Sequence, residues 1–184
     1  MMIQITFIAF GLALITAAVV GLQLPKHENW WKQIPRARRA GAAAGFLALM
    51  WAASLTAPLL AGLFGGTPAK FEGMLPIIVI VAAIGCFFLM DYLFARAVGG
   101  LLLLSVNTLL QYTFAIGLQV PLRIMVALIC YTLGTYALFM LGSPYRFRNL
   151  LERMTHKASW RLPISGALAV SGILICSICA ISPG

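Results

Sequence analysis

The stretch that decides the fold is MLPIIVIVAAIGCFFLMDYLFARAVGGLLLLSVNTLLQYTFAIG, residues 74–117, whose only charged residues are Asp91 and Arg96. At about 1.5 Å per residue a single helix of this length would measure roughly 66 Å, twice a ~30 Å hydrocarbon core. The run therefore folds back on itself, and the two charges mark the turn. That predicts one helix over residues 74–90 and another over 92–117. Asp91 is expected as the N-cap of the second, accepting a free backbone N–H.

Working outward, a spanning helix needs about 20 apolar residues, with a range of roughly 17–25. Runs that qualify lie at residues 3–22, 40–64, 119–141 and 164–181, with Pro58 expected to kink the second. Six spans result: an all-α polytopic membrane bundle, one domain over residues 1–184, drawn as three out-in-out hairpins. Residues 65–73 read as a short turn and residues 142–163 as a polar loop. Within that loop Ser143-Pro144 precedes YRFRNLLERM, where Phe147, Leu150, Leu151 and Met154 recur at helical spacing. Proline at a first helical position is a start signal, so a short interfacial helix is expected over residues 144–155.

Composition agrees. The chain is 62% hydrophobic and 9% charged, whereas soluble domains carry about 25% charged residues. Such a chain satisfies its burial against lipid, and no long polar segment is left for a soluble catalytic domain. The first run has no Lys or Arg ahead of it, so it reads as a retained helix rather than a cleavable signal.

The net charge of +9 has to be read by position, because basic residues beside spans set orientation. Lys26, Lys32, Arg36, Arg38, Arg39, Arg96, Arg146, Arg148, Arg153, Lys157 and Arg161 fall on one side of this topology. Only Lys70 and Arg123 fall on the other. The crowded side is expected to be cytoplasmic in a bacterial inner membrane, with both termini outside. Trp30, Trp31 and Trp160 belong at headgroup depth beside Arg36, Arg38, Arg39, Arg146, Arg148 and Arg153, which anchor to anionic lipid of the inner leaflet. Charge spread over juxtamembrane loops does not suit nucleic acid.

One face of the fourth span stands out. At about 100° per residue, Arg96, Gly100, Leu103, Asn107, Gln111 and Phe114 share a side. Amides are costly in lipid, so this side is expected to face protein or a water-filled cavity. It is then either a binding or conduction path with Arg96 at its inner mouth, or a set of amides bridging helices. Gly99 and Gly100 permit close helix approach under either reading. On the fifth span, Tyr131 and Thr135, with Thr132 and Tyr136, offer possible partners. Arg123 at its outer end suits either an anionic group or the interface.

The pair Cys176 and Cys179 invites a redox reading, but no basic residue lies near it in sequence, and cysteine is a common packing residue. The basic, Trp-containing loops before RARRAGAAAG and ASWRLPISGALAVSG are alike, as any pair of basic-flanked helices would be. The two histidines, His27 and His156, lie in loops, which excludes a bis-histidine haem inside the bundle. There is no HExxH, phosphate loop or paired carboxylate. Glu28, Glu72, Asp91 and Glu152 all fall outside mid-span positions, which disfavours proton-coupled transport. No catalytic residue, metal site or cofactor is therefore expected.

Taken together, IPRARRAG, FEGMLP, DYLFARAVGGLLLL and GSPYRFRNLLERM resemble, in order and spacing, a group of uncharacterised six-helix bacterial inner-membrane proteins. The resemblance implies the six-helix architecture and no activity. In that pattern the fourth segment tends to end in an acid, where this chain has Gln111 and Tyr112. The favoured expectation is a non-enzymatic accessory or scaffold subunit that packs against a larger membrane partner or a second copy. A small channel or carrier along the fourth span, and a membrane thiol or lipid enzyme, are the alternatives.

Overall fold

Helix order in the chain follows the apolar runs closely. The computed structural model describes residues 2–27, 37–64, 68–89, 92–115 and 120–181. The described residues form seven α-helices and no strand. Helix α1 (Met2–Gln23) runs into a 3-10 turn (Leu24–His27); then come α2 (Arg38–Phe64), α3 (Pro68–Leu89), α4 (Leu93–Ala115), α5 (Val120–Gly142), α6 (Pro144–His156) and α7 (Ala158–Ile181). Asp91, Trp30, Trp31 and Arg36 lie outside the described residues.

Five segments are long and apolar enough to cross a membrane: Gln4–Lys26, Arg38–Leu63, Leu93–Ala115, Pro121–Gly142 and Ala158–Ile178. The apolar part of α3, Gly73–Phe88, amounts to about 24 Å of helix, short of a ~30 Å core. All of α3 is 22 residues, but its first turns carry Lys70 and Glu72.

Two boundaries differ from expectation. Residues 68–73, expected in a turn, are helical, because α3 starts on Pro68, whose preset φ and missing N–H suit a first helical position. Residues 158–163, expected in a loop, belong to α7, with Pro163 inside it. The break comes earlier, at Lys157, which is extended (φ −123°, ψ 110°). Its carbonyl accepts the first N–H groups of α7, from Trp160 at 3.1 Å and Arg161 at 3.2 Å. Pro163 then costs one ladder bond further along.

Packing does not follow chain order. Extensive contact joins α1 to α7, α4 to α5, and α2 to both α3 and α4. Among the described residues, neither α1 with α2 nor α3 with α4 makes such a pair. Helices α1 and α7 close antiparallel on a glycine pair. A Cβ on Gly172 would stand 2.7 Å from the Gly11 carbonyl oxygen, and one on Gly11 would stand 2.8 Å from that of Gly172. Helix α2 runs parallel to α4, with Gly41 against Leu93 and Phe94, Gly45 against Ala97, and Ala48 against Gly100. Helix α5 runs antiparallel to α4, with Gly99 against Ala137 and Met140.

The core lies where four helices meet: Phe7, Phe10 and Leu14 of α1, Val106 and Leu109 of α4, Val126 and Cys130 of α5, Ile175 and Ile178 of α7. Helices α2 and α3 flank it beside α4. These contacts gather one set of helix ends. Leu24 packs on Met154 of α6, and Gly21 lies against Ser165 near the start of α7. That end carries Lys26, Arg38, Arg39, Arg96, Arg146, Arg148, Arg153, Lys157 and Arg161, whereas Arg123 is at the other. Large apolar side chains such as Ile77, Val81, Phe88, Leu128 and Val170 cover the outside, as a lipid-facing surface requires.

The glycine seam of α1 and α7 yields a test. Gly172→Leu is expected to destabilise the protein in detergent by about 1–3 kcal/mol through overpacking. Gly166→Leu, where a Cβ would meet nothing within 4 Å, should change stability by less than about 0.5 kcal/mol. Thermal unfolding of the two variants side by side is the measurement, and equal loss in both would contradict the seam.

Candidate functional site

Helix α4 is the most enclosed helix, and it is entered through a strained residue. Tyr92 has φ 56°, a left-handed conformation that costs a non-glycine residue about 1–2 kcal/mol. From Leu93 to Val106 every residue is buried or half-buried. The stripe expected on one face divides into two parts.

The inner part faces a cavity. Arg96, Gly100 and Leu103 line a space of about 450 Å³ together with Gly41, Gly45, Ala48 and Ala52 of α2, and Ala83 and Cys86 of α3. The cavity exists because α2 packs against both α3 and α4 while these two diverge. Small side chains leave its walls thin and apolar. Among the described residues Arg96 is the one charged side chain in the lining. Its Nε is buried and finds no hydrogen-bond partner among them, a loss of about 1–3 kcal/mol for a polar group.

The outer part faces outward. Asn107 and Gln111 are both exposed, and Phe114 is 55% exposed, with the Arg123 guanidinium 5.7 Å from its ring centre. The sequence predicts a side that faces protein or a water-filled cavity; the described residues of this chain leave both amides exposed. The helix turns them to a face that the described residues leave open. Nor do the proposed partners on α5 reach them. Gly134 meets Val106 of α4, so Tyr131 and Thr135, which are exposed, lie away from that seam. Arg96, Asn107, Gln111, Arg123, Tyr131 and Thr135 therefore do not converge on one site.

Hydroxyls in the spans behave differently from the amides. Those of Thr16, Ser54, Thr56, Ser105, Thr108, Thr113, Thr132, Thr135 and Ser177 each donate to a carbonyl three or four residues earlier, at 2.6–3.0 Å. A short hydroxyl can satisfy itself on its own helix; the buried Ser165 Oγ of α7 is an exception, with no partner among the described residues. Neither amide makes a hydrogen bond among the described residues.

Cys176 lies in the α1–α7 seam, its Sγ 4.0 Å from the Ile8 carbonyl oxygen and against Gly11. This is a packing position, and the Cys179 side chain lies outside the described residues. Among the described residues no group of three metal-ligating side chains comes together.

A second cavity was not foreseen as a site. At the basic end, α5 passes into α6 through Ser143, and a space of about 370 Å³ is lined by Tyr136, Tyr145, Arg146, Asn149, Leu150 and Arg153. Tyr145, Asn149 and Arg153 stand four residues apart along α6 and share a face, a spacing that the sequence displayed. The Tyr136 hydroxyl, one α5 contribution, is buried with no partner. The Arg146 guanidinium lies 4.8 Å from the Phe139 ring centre and that of Arg153 5.8 Å from the Trp160 ring centre. Arg148 turns its Nε into protein, also without a partner. Arg38, Arg39 and Trp160 are exposed, as interfacial residues would be.

No family model, curated protein or solved structure matches this chain.

Arg146 also acts on its neighbour. By hydrogen bond and then by charge it holds the Tyr145 phenol below the ordinary value of 10.0, with Ser143 assisting. Lowering the pKa means that Tyr145 ionises earlier as pH rises. Arg146→Gln should therefore move its ultraviolet titration upward in pH. A titration that stays in place would contradict the contact.

Proposed function

We propose that this protein is a non-enzymatic accessory or scaffold subunit of a bacterial inner-membrane assembly, and that α4 is its contact with a larger membrane partner. The observation that carries this reading is the contrast between self-satisfied hydroxyls and unsatisfied amides. Asn107 lies about 12 Å in from the outer end of α4 by helix rise, and Gln111 about 6 Å. An Asn side chain at that depth has a donor and an acceptor that its own helix does not satisfy, and lipid satisfies neither. A partner helix with polar groups does, at about 0.6–2 kcal/mol per hydrogen bond. The thin arrangement of α3, α2, α4 and α5 leaves this face open for such a helix.

In this reading the chain crosses the membrane six times, α3 being the short crossing, with the basic end cytoplasmic and both termini outside. The excess of Lys and Arg at one end of the bundle supports that orientation.

The test is purification of the tagged full chain from native membranes in mild detergent, followed by mass spectrometry. A membrane protein in fixed ratio is expected, and Asn107→Leu combined with Gln111→Leu should lower its recovery about tenfold. A preparation of this chain alone, as monomer or homo-oligomer, would overturn the accessory role. Orientation has its own check. Lys157→Cys should react with an impermeant thiol reagent only from the cytoplasmic side and Arg123→Cys only from outside; the reverse pattern would refute it.

A further inference from the structure

Five of the six residues lining the cavity between α5 and α6 carry hydrogen-bond donors. Arg146 and Arg153 contribute guanidinium groups, Asn149 an amide, and Tyr136 and Tyr145 hydroxyls. No ion pair neutralises the two arginines among the described residues; Glu152, the acid of α6, is exposed and pairs with neither. The Tyr136 hydroxyl, buried without a partner, is a donor lacking an acceptor. Such a set calls for one compact ligand rich in acceptors and carrying negative charge. Guanidinium groups match a phosphate in geometry and charge, and charge-assisted hydrogen bonds are the strong ones.

Position identifies the source of that phosphate. The cavity opens where α5 ends and α6 begins, at the basic end of the bundle. Helix α6 turns Leu150, Leu151 and Met154 toward the bundle and leaves its charged face outside, the pattern of a helix lying in the headgroup layer. Leu150, with the ring and stem carbons of the other lining residues, makes much of the wall apolar, suited to the start of an acyl chain. At about 370 Å³ the space is within the ~300–1,000 Å³ range of small-molecule sites. A transmembrane helix about 10 Å across would need roughly 1,700 Å³ for four turns, so the cavity is sized for a headgroup rather than a helix.

We propose that this pocket binds the phosphate of an anionic phospholipid, with Arg146 and Arg153 pairing its charge and Tyr136 and Asn149 donating to its oxygens. The site is a discrete one, separate from the general attraction of a basic surface to an acidic leaflet. The low-lying phenol of Tyr145 agrees with it, since the Arg146 guanidinium beside it acts on the hydroxyl first by hydrogen bond and then by charge.

Native mass spectrometry of the purified full chain, titrated with phosphatidylglycerol, reads the site directly. One tightly retained lipid is expected, with phosphatidylcholine retained at least about tenfold more weakly. Arg146→Gln with Arg153→Gln should weaken phosphatidylglycerol at least about tenfold, and Tyr136→Phe, which removes one hydroxyl and keeps the ring, about fivefold. The charge-matched pair Lys26→Gln with Lys157→Gln, outside the pocket, should change retention by less than about twofold. Equal loss in both double variants, or equal retention of phosphatidylcholine, would overturn a discrete site. Glycerol 3-phosphate binding as tightly as the lipid would overturn the lipid assignment in favour of a soluble phosphate ester.

Discussion

Helix α4 is gripped on two sides at points where no side chain fits. Gly41 of α2 rests on the backbone of Leu93 and Phe94, and Gly99 of α4 itself meets the Ala137 carbonyl and Met140 of α5. Without a hydrophobic difference between lipid and helix surface, such close approach is the main source of helix association in a membrane. The rest of the arrangement follows from it. With α2 and α5 on opposite flanks, α4 has one side left for the α1–α7 pair, which supplies the core through Phe7, Leu14, Ile175 and Ile178. Among the described residues helix α3 makes extensive contact with α2 alone and becomes the edge, and the gap between α3 and α4 becomes the cavity beside Arg96.

The same grip sets where the polar groups go. Burying Ala97 and Val106 against neighbours turns Asn107 and Gln111 outward, one helical turn apart. An isolated chain would leave them in lipid, so the proposed partner contact and the packing of α4 have a common origin. At the basic end the geometry is reversed: α6 folds back over the bundle and gathers donors, and the buried groups that lack partners there among the described residues are Tyr136, Arg148, Ser165 and, on α4, Arg96. One end thus suits anionic headgroups, and the outer half of α4 suits another helix.

Much of this was legible in the residues. The 44-residue run from 74 to 117 was too long for one helix, and the structure divides it between α3, which ends at Leu89, and α4, which starts at Leu93, three residues before Arg96. Ser143-Pro144 and the spacing of Leu150, Leu151 and Met154 located α6. Gly99 was visible as a point of close approach. What could not be read was which helices are neighbours, because in a membrane chain lipid-facing and packed surfaces are equally apolar. A helical wheel put Asn107 with Arg96 on one face, and the structure keeps them there. The wheel could not say that α2 covers that face at Gly100 and leaves it bare at Asn107. Lys157 concealed the start of α7 because an extended residue there has no strong sequence mark, whereas Pro163 suggested a break that the helix tolerates.

The most direct test of the outward-facing amides is photo-crosslinking in native membranes, with a photoreactive amino acid in place of Asn107 and, separately, of Val81 on the lipid-facing side of α3. The account predicts an adduct of this chain with another polypeptide from position 107 and none from position 81. Lipid adducts alone at both positions would contradict it.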